Sequence, residues 1–404
     1  MSWPNVKPPW KHVKWLKNTD FDSWPTPPRL EYCVGPAKRD TDGELDLLKL
    51  KIEELDKKNE WEFLKRSSNP YELVFSQSQD QRIPSSISSL RPLSRSFFKM
   101  VEILSVLDFF KRHTKKPIRT SHVCEGPGGF IEAILHVSSK NSMIVENSWA
   151  MTLKPSKTNI PGWKRAYHFL RKSPMINIEY GADDTGDITV AANQTAFLEK
   201  THGKCNIFTA DGGFDFSEHY STQEEEVFPL LISSALIGLQ TMIRGGDFVL
   251  KVFDTELRST RNLLGILASC FDSWTLYKPA LSRPCNAEKY FLGKGSRLIP
   301  LWIINLLTAA CNSYNKGTGS IESFFDAIPE EIETNINNLQ KEYLDQQIAA
   351  LNYTISKKDE WNANPQLIWK AIKENSSQWC KQFQIPTKTT GASHMNSKDT
   401  DQPV

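Results

Sequence analysis

The sequence predicts an α/β fold, with a mainly parallel central sheet, an antiparallel end strand, helices on both faces, and helical extensions at both ends. Three observations predict it. From about Leu90 to Gly293, short apolar runs that read as buried strands alternate with longer segments of helical period. The run ending HVC is followed at once by Glu125, Gly126, Pro127, Gly128 and Gly129 and then by an amphipathic stretch, a strand–turn–helix unit of the kind that builds parallel sheets. The last two strand-like runs, 275–278 and 289–293, are separated only by PALSRPCNAE and are expected to pair antiparallel at one end of the sheet.

In chain order, residues 1–89 form an N-terminal extension, a Trp- and Pro-rich lead and then ELDLLKLKIEELDKKNEWEFLKR, whose apolar positions have helical spacing. Residues 90–304 carry the α/β pattern. Within it 93–111 reads as a helix, 117–124 as a strand, 128–137 as a helix, and 204–211 as a short apolar run ending on an acid. A long helix over 224–243 precedes a second buried strand, DFVLKVF at 247–253, and a further helix over 258–271. Residues 305–384 read as a helical, acidic region, and 385–404 lack apolar content and are expected to be disordered.

The 404 residues, 39% hydrophobic, suffice for two or three domains with at least one large core. Net charge is only +2, but its distribution is uneven. Residues 91–175 hold 15 Lys/Arg against 5 Asp/Glu, and 321–350 hold 1 Lys against 7 acids. The first region suits a polyanion, although solvated helix faces would look the same. Seven scattered cysteines without a CxxC pair suggest neither a disulfide framework nor a zinc site, and a reducing compartment fits. The N-terminus has no secretory apolar core, and the longest apolar runs fall short of the roughly 20 residues that span a bilayer, so a soluble protein is expected.

The glycine turn is either a structural corner or a ligand cradle. In open α/β sheets ligands bind beyond the carboxyl ends of strands, where Gly126 and Gly128 would let backbone approach and Gly129 would let the helix pack tightly. It is neither GxGxxG nor a phosphate loop. Asp211 ends a strand before Gly212-Gly213, so its carboxylate should project into the same crevice. Lys251 interrupts an apolar strand, and either it is buried beside a partner or it sits on an edge strand and reaches water.

These residues, taken in order, resemble the FtsJ-like S-adenosylmethionine-dependent RNA 2′-O-ribose methyltransferases, and more narrowly the mRNA cap ribose methyltransferases of eukaryotes and large DNA viruses. The resemblance rests on LSRSFFKMVEI, HVCEGPGGF, WAMTL, DDTGDI, TADGGFDF, GGDFVLKVFD and KPALSRPCNAEKY, and covers about Leu90 to Gly295. It implies a Rossmann-like methyltransferase fold and a Lys-Asp-Lys-Glu tetrad at Lys99, Asp211, Lys251 and Glu288. It further implies methyl-donor contacts from Cys124, Glu125, Gly126, Pro127, Gly128, Gly129, Phe130 and Asp211, with Asp187 and Ile188 at the adenine. Because WAMTL ends without an acid, no residue is assigned to the donor ribose.

The implied acceptor is capped mRNA, met near the target ribose by Ser282, Arg283 and Asn286. The basic segment supplies Arg95, Lys111, Arg112, Lys115, Lys116, Lys154, Lys157, Lys164 and Arg165 for phosphates. Trp149, Trp163, Phe214 and Phe216 are available for stacking the cap base. Activating a ribose hydroxyl toward a sulfonium methyl needs orientation and a proton acceptor but no metal. Burial, a second lysine and the sulfonium push a lysine toward neutrality, whereas carboxylates oppose them. Lys251 is therefore expected to be the base or hydroxyl-orienting group, with Lys99 stabilising the alkoxide and the two acids positioning the amines. Methylation of ribosomal or transfer RNA, and an idle RNA-binding subunit of the same fold, are the alternatives. Contacts with other capping or transcription proteins through the flanks are expected, in the nucleus for a cellular protein and in host cytoplasm or virion for a viral one.

Overall fold

The computed structural model describes residues 7–24, 28–33, 43–114, 117–155, 162–213, 223–315 and 320–388. Ten strands form among them: β1 (Leu16–Lys17), β2 (Glu31–Cys33), β3 (Ile118–Val123), β4 (Val145–Met151), β5 (Ile176–Glu179), β6 (Cys205–Ala210), β7 (Met242–Val252), β8 (Phe271–Tyr277), β9 (Lys289–Ser296) and β10 (Ser320–Ser323). Eight make one sheet in the order β1-β8-β9-β7-β6-β3-β4-β5, and β10 pairs with β2 in a small second sheet. Strands β3 to β7 run parallel, with β6 and β4 on either side of β3. The chain therefore reverses its direction of travel across the sheet at β3 and β6, which opens a crevice at their carboxyl ends.

The expected antiparallel strand exists, but it lies inside the sheet. β9 is inserted between β7 and β8 and is antiparallel to both. The Arg258–Ser269 helix carries the chain past one strand position before β8, and β9 returns into the gap. The predicted 93–111 helix breaks in two, Ser96–Val106 and Phe109–Arg112, because Asp108 takes a left-handed conformation (φ 52°) between buried Leu107 and Phe109. Strand β7 begins at Met242, directly after the Gln223–Thr241 helix, with a register shift against β6 that accommodates Gly245 and Gly246.

Alternation along the strands sorts side chains onto two faces. Phe208, Phe248, Leu250 and Phe291 enter one core layer, beneath the Gln223–Thr241 and Arg258–Ser269 helices. Ile207, Val249, Tyr290 and Leu292 enter the other, with Phe97, Phe98 and Phe130. By the same alternation Lys251 belongs to the second face, the one covered by the Ser96–Val106 helix that carries Lys99.

The flanks pack onto this framework. Tyr71 and Trp379 lie in the second core layer. Residues 385–388, expected to be disordered, are structured: Ile385 is buried, Ser88 bridges Thr387, and the Lys388 N–H donates to Ile87 O at 2.8 Å. The rest of that tail lies outside the described residues. No helix of the described residues is long and apolar enough to cross a membrane. Six cysteines, at 124, 205, 270, 285, 311 and 380, are free thiols.

One buried acid ties the C-terminal helix to the sheet. Glu102 accepts hydrogen bonds from Trp379 Nε1 (2.5 Å), Ala280 N (2.9 Å) and the Tyr277 hydroxyl, and burial pushes its carboxyl up to about 7. The folded protein thus holds this proton more tightly than the unfolded chain, and the group's contribution to stability declines as pH rises from the ordinary carboxyl range through about 7. Trp379→Phe removes a donor to the ionised form. Urea denaturation should show a loss of about 1–3 kcal/mol at pH 8 and a smaller loss at pH 5.

Candidate active site

Register brings the site together. Ala210 of β6 lies beside Leu250 of β7, so the next residues, Asp211 and Lys251, are adjacent. Across β7 and β9, Lys251 faces Tyr290. Glu288 immediately precedes β9, and Lys99 descends from the helix above. Lys251 Nζ is 3.2 Å from Asp211 Oδ1, and Lys99 Nζ is 2.6 Å from Glu288 Oε1. All four side chains are only 12–15% exposed. The edge-strand alternative for Lys251 does not hold, since β7 is flanked by β6 and β9.

The four groups are electrostatically linked. Burial alone would raise the Glu288 carboxyl, but Lys99, Lys251 and Lys278 outweigh it and hold it down at about 2. Burial would lower the Lys251 amine, yet Asp211 and Glu288 outweigh burial and raise it. Lys251 is accordingly an ammonium at neutral pH in this state.

The start of the glycine turn lies against the strand end that carries Asp211: a Cβ on Gly212 would sit 3.1 Å from Cys124 Cβ. Cys124 takes a left-handed conformation (φ 57°), and its thiol is pushed up to about 12 by burial and then by Glu125, Asp187 and Asp211, with Lys251 opposing. Glu125, Asp187 and Asp211 therefore all act electrostatically on this one thiol. Burial, reinforced by Asp211, holds the Glu125 carboxyl well above its usual range. Such a site favours a cation. A Cβ on Gly213 would sit 3.3 Å from Lys251 Nζ, so this glycine leaves room beside the amine. Glu125, Asp187 and Asp211 are the acidic groups this part of the site offers to a cationic ligand.

The structure shows what packs against several of the expected residues. A Cβ on Gly126 would meet the backbone of Gly162 at 3.0–3.2 Å, so Gly126 serves chain–chain packing. Gly129 fits its expected packing role, since its Cβ would lie 2.2 Å from both Ser94 and Ser96 Oγ, at the start of the Lys99 helix. Phe130 is fully buried against Tyr290 (ring centroids 5.8 Å apart), and Ile188 is buried in the main core. Both side chains are packed into core layers. Asp187 Oδ1 accepts from both the N–H and the hydroxyl of Thr189, which fixes its loop.

The acceptor expectations divide. Asn286 is exposed, and Lys154 is half-exposed in an ion pair with Asp184 (2.5 Å). Lys164 and Arg165 are exposed beside Trp163, whose ring packs on Gly128. Arg95, Arg283 and Ser282 turn inward. Both guanidiniums bind buried Glu72, and Ser282 Oγ donates to Glu288 O at 3.2 Å. Arg112 binds Asp247, four residues back from Lys251 along β7 and about 13 Å away. Trp163 is core, as Trp149 is in part. Lys115, Lys116, Lys157, Phe214 and Phe216 lie outside the described residues.

Two contributors had no assigned role. The Tyr290 hydroxyl donates to Asp211 Oδ1 at 2.8 Å, and burial, with Asp211 and Glu288, raises its own ionisation far enough to keep it a donor. Lys278 Nζ donates to the carbonyls of Asn286 and Glu288, and burial lowers that amine to about 7. Both lie in the quoted KPALSRPCNAEKY stretch, so the signal was present without a partner to interpret it.

A doubly wound sheet with a glycine turn and an acid at its switch point is the architecture of nucleotide-dependent α/β enzymes. Residues 92–296, half of the chain, match the FtsJ-like methyltransferase family, and the chain belongs to it. It is 30% identical over 305 residues to the "Cap-specific mRNA (nucleoside-2'-O-)-methyltransferase 1" of Dictyostelium discoideum, covering 70% of this chain and 37% of that protein. It is 30% identical over 221 residues to the "Probable methyltransferase EP424R" of African swine fever virus (isolate Pig/Kenya/KEN-50/1950), covering 50% and 49%. Against the "Cap-specific mRNA (nucleoside-2'-O-)-methyltransferase 2" of Danio rerio it is 32% identical over 208 residues, covering 49% and 28%. The chain thus spans half or less of the length of these relatives.

Proposed function

We propose that this chain methylates a ribose 2′-hydroxyl at the 5′ end of capped mRNA, with S-adenosylmethionine as donor. The observation that carries the reading is the pair of ion-paired lysines, Lys251 on Asp211 and Lys99 on Glu288, both of which act on Glu288. The names of the relatives support the capped acceptor.

When bound, S-adenosylmethionine supplies an electrophilic methyl group. The protein's part is to aim and activate the hydroxyl. Lys251, held by Asp211, contacts the 2′-oxygen and accepts its proton once its own has been shed. Lys99, held by Glu288, faces the developing alkoxide as a cation. Tyr290 fixes Asp211 and so fixes Lys251. Exposed Lys154, Lys164 and Arg165 meet phosphates without reading sequence.

The test is methyl transfer to a short RNA bearing or lacking the cap, followed by mass spectrometry of released cap di- and trinucleotides. Methylated ribose in the capped product alone is expected. Equal methylation of uncapped RNA would move the substrate to ribosomal or transfer RNA. No transfer to any RNA would favour the idle subunit.

A further inference from the structure

The proposed reaction needs Lys99 and Glu288 to meet, yet they ride on different elements: the Ser96–Val106 helix and the loop from Lys278 to Glu288. We propose that Glu72, outside the family-matched residues, is a positioning residue that locks these two elements together. The inference rests on the methyltransferase reading above.

Glu72 is fully buried and faces three guanidiniums. Its Oε2 is 3.0 Å from Arg95 Nη2, and Arg283 grips both oxygens, at 2.9 Å through Nη2 and 3.2 Å through Nε. Arg66 lies at 3.6 Å, and Asn69 Nδ2 donates at 3.3 Å. Arg95 stands one helical turn before Lys99 on the same face. It also donates to Leu281 O at 3.0 and 3.1 Å and to Phe75 O. Arg283 stands in the loop, five residues before Glu288. One carboxylate from the N-terminal extension thus holds the approach to each half of the Lys99–Glu288 pair. At the far end of the loop Glu102 makes the matching connection, binding Ala280 N and Tyr277 from one turn beyond Lys99. A fork-shaped contact of this kind fixes orientation as well as distance.

The chemistry makes such a lock consequential, because a misplacement of about 1 Å at a reacting pair can cost roughly a hundredfold in rate. Glu72→Gln keeps the shape and removes the charge. The expected result is a fall in kcat of about 10- to 100-fold, with KM for RNA and donor affinity by calorimetry each within about twofold. A second readout needs no activity. Acylation of Lys99 by a water-soluble acetylating reagent, read by mass spectrometry against Lys111 (85% exposed), should be slow in the native protein and several-fold faster in the variant. Native protein that fails to methylate capped RNA sinks the function while leaving the acylation test standing. A folded Glu72→Gln protein with native kcat and native Lys99 reactivity overturns the lock. If Glu72→Gln does not fold, Arg283→Lys keeps the charge but loses the fork. A fall in kcat at unchanged melting temperature and KM then supports the lock. Unchanged kcat overturns it, as does a raised KM with a salt dependence weakened by about one phosphate contact, which would make Arg283 an RNA ligand.

Discussion

Replacing Lys251 with methionine should lower methyl transfer to capped RNA by about a thousandfold while the protein stays folded and still binds donor. General-base catalysis contributes about 10²–10⁴ in rate, and a further loss is expected because the same amine orients the hydroxyl. Folding should survive because methionine keeps most of the buried stem, and Asp211 keeps a donor in Tyr290 at 2.8 Å. Lys251→Arg should be nearly as damaging, since a guanidinium remains protonated throughout the accessible pH range. The pH profile supplies the independent check. Asp211 and Glu288 outweigh burial and hold the Lys251 amine above its ordinary value, so the active, neutral form is a minor species at pH 7. In the native enzyme kcat/KM should therefore climb about tenfold per pH unit from 7 to 9 without a plateau. A Lys251→Met protein retaining a tenth of native activity, or a profile flat across that range, would remove this lysine from the proton-transfer step.

The sheet and the centre of the site were legible in the sequence because their signals are local. An apolar run broken by one lysine, flanked on both sides by Phe and Val, describes a buried charged group wherever its partner lies. The glycines around Asp211 mark a strand end in the same way. Sheet order was less accessible. Nothing in PALSRPCNAE tells whether the following strand adds at the edge or slips between two earlier ones, and the two-residue β1 is too short to show a period. Arg95 and Arg283 were misread for a related reason. A basic residue in a basic segment, like Arg95, or in a motif that resembles an RNA-facing one, like Arg283, looks like an RNA ligand until its counter-ion is known, and Glu72 comes from outside the resemblance, in a 3-10 turn with no motif of its own. Phe130 and Ile188 show the converse limit. Adjacency to a glycine turn does not fix which way a side chain points, and both are drawn into core layers.

Glu288→Gln should separate orientation from proton affinity. The carboxylate is held down at about 2 because the favourable effects of Lys99, Lys251 and Lys278 exceed the penalty of burial. In the native protein its stabilising contribution is present above the ordinary carboxyl range and is lost only as pH falls through that range toward 2, far below working conditions. The variant therefore lacks this contribution at every physiological pH and should melt at a lower temperature. In catalysis two effects oppose each other. Lys99 loses the anion that aims it, which should reduce the maximal rate by about 10²-fold. Lys251 loses one of the three carboxyl groups that raise it, the second in strength after Asp211, so its amine becomes easier to deprotonate. The pH profile of the weakened enzyme should consequently move about one to two pH units toward acid, and the deficit relative to the native protein should be smaller at pH 7 than at pH 9. Asp211→Asn should displace the profile the same way, because Asp211 is the strongest of the carboxyl influences on that amine. A Glu288→Gln enzyme with reduced rate and an unmoved profile would mean that the proton-accepting group is not electrostatically coupled to Glu288, and the base would then have to be sought elsewhere than on β7.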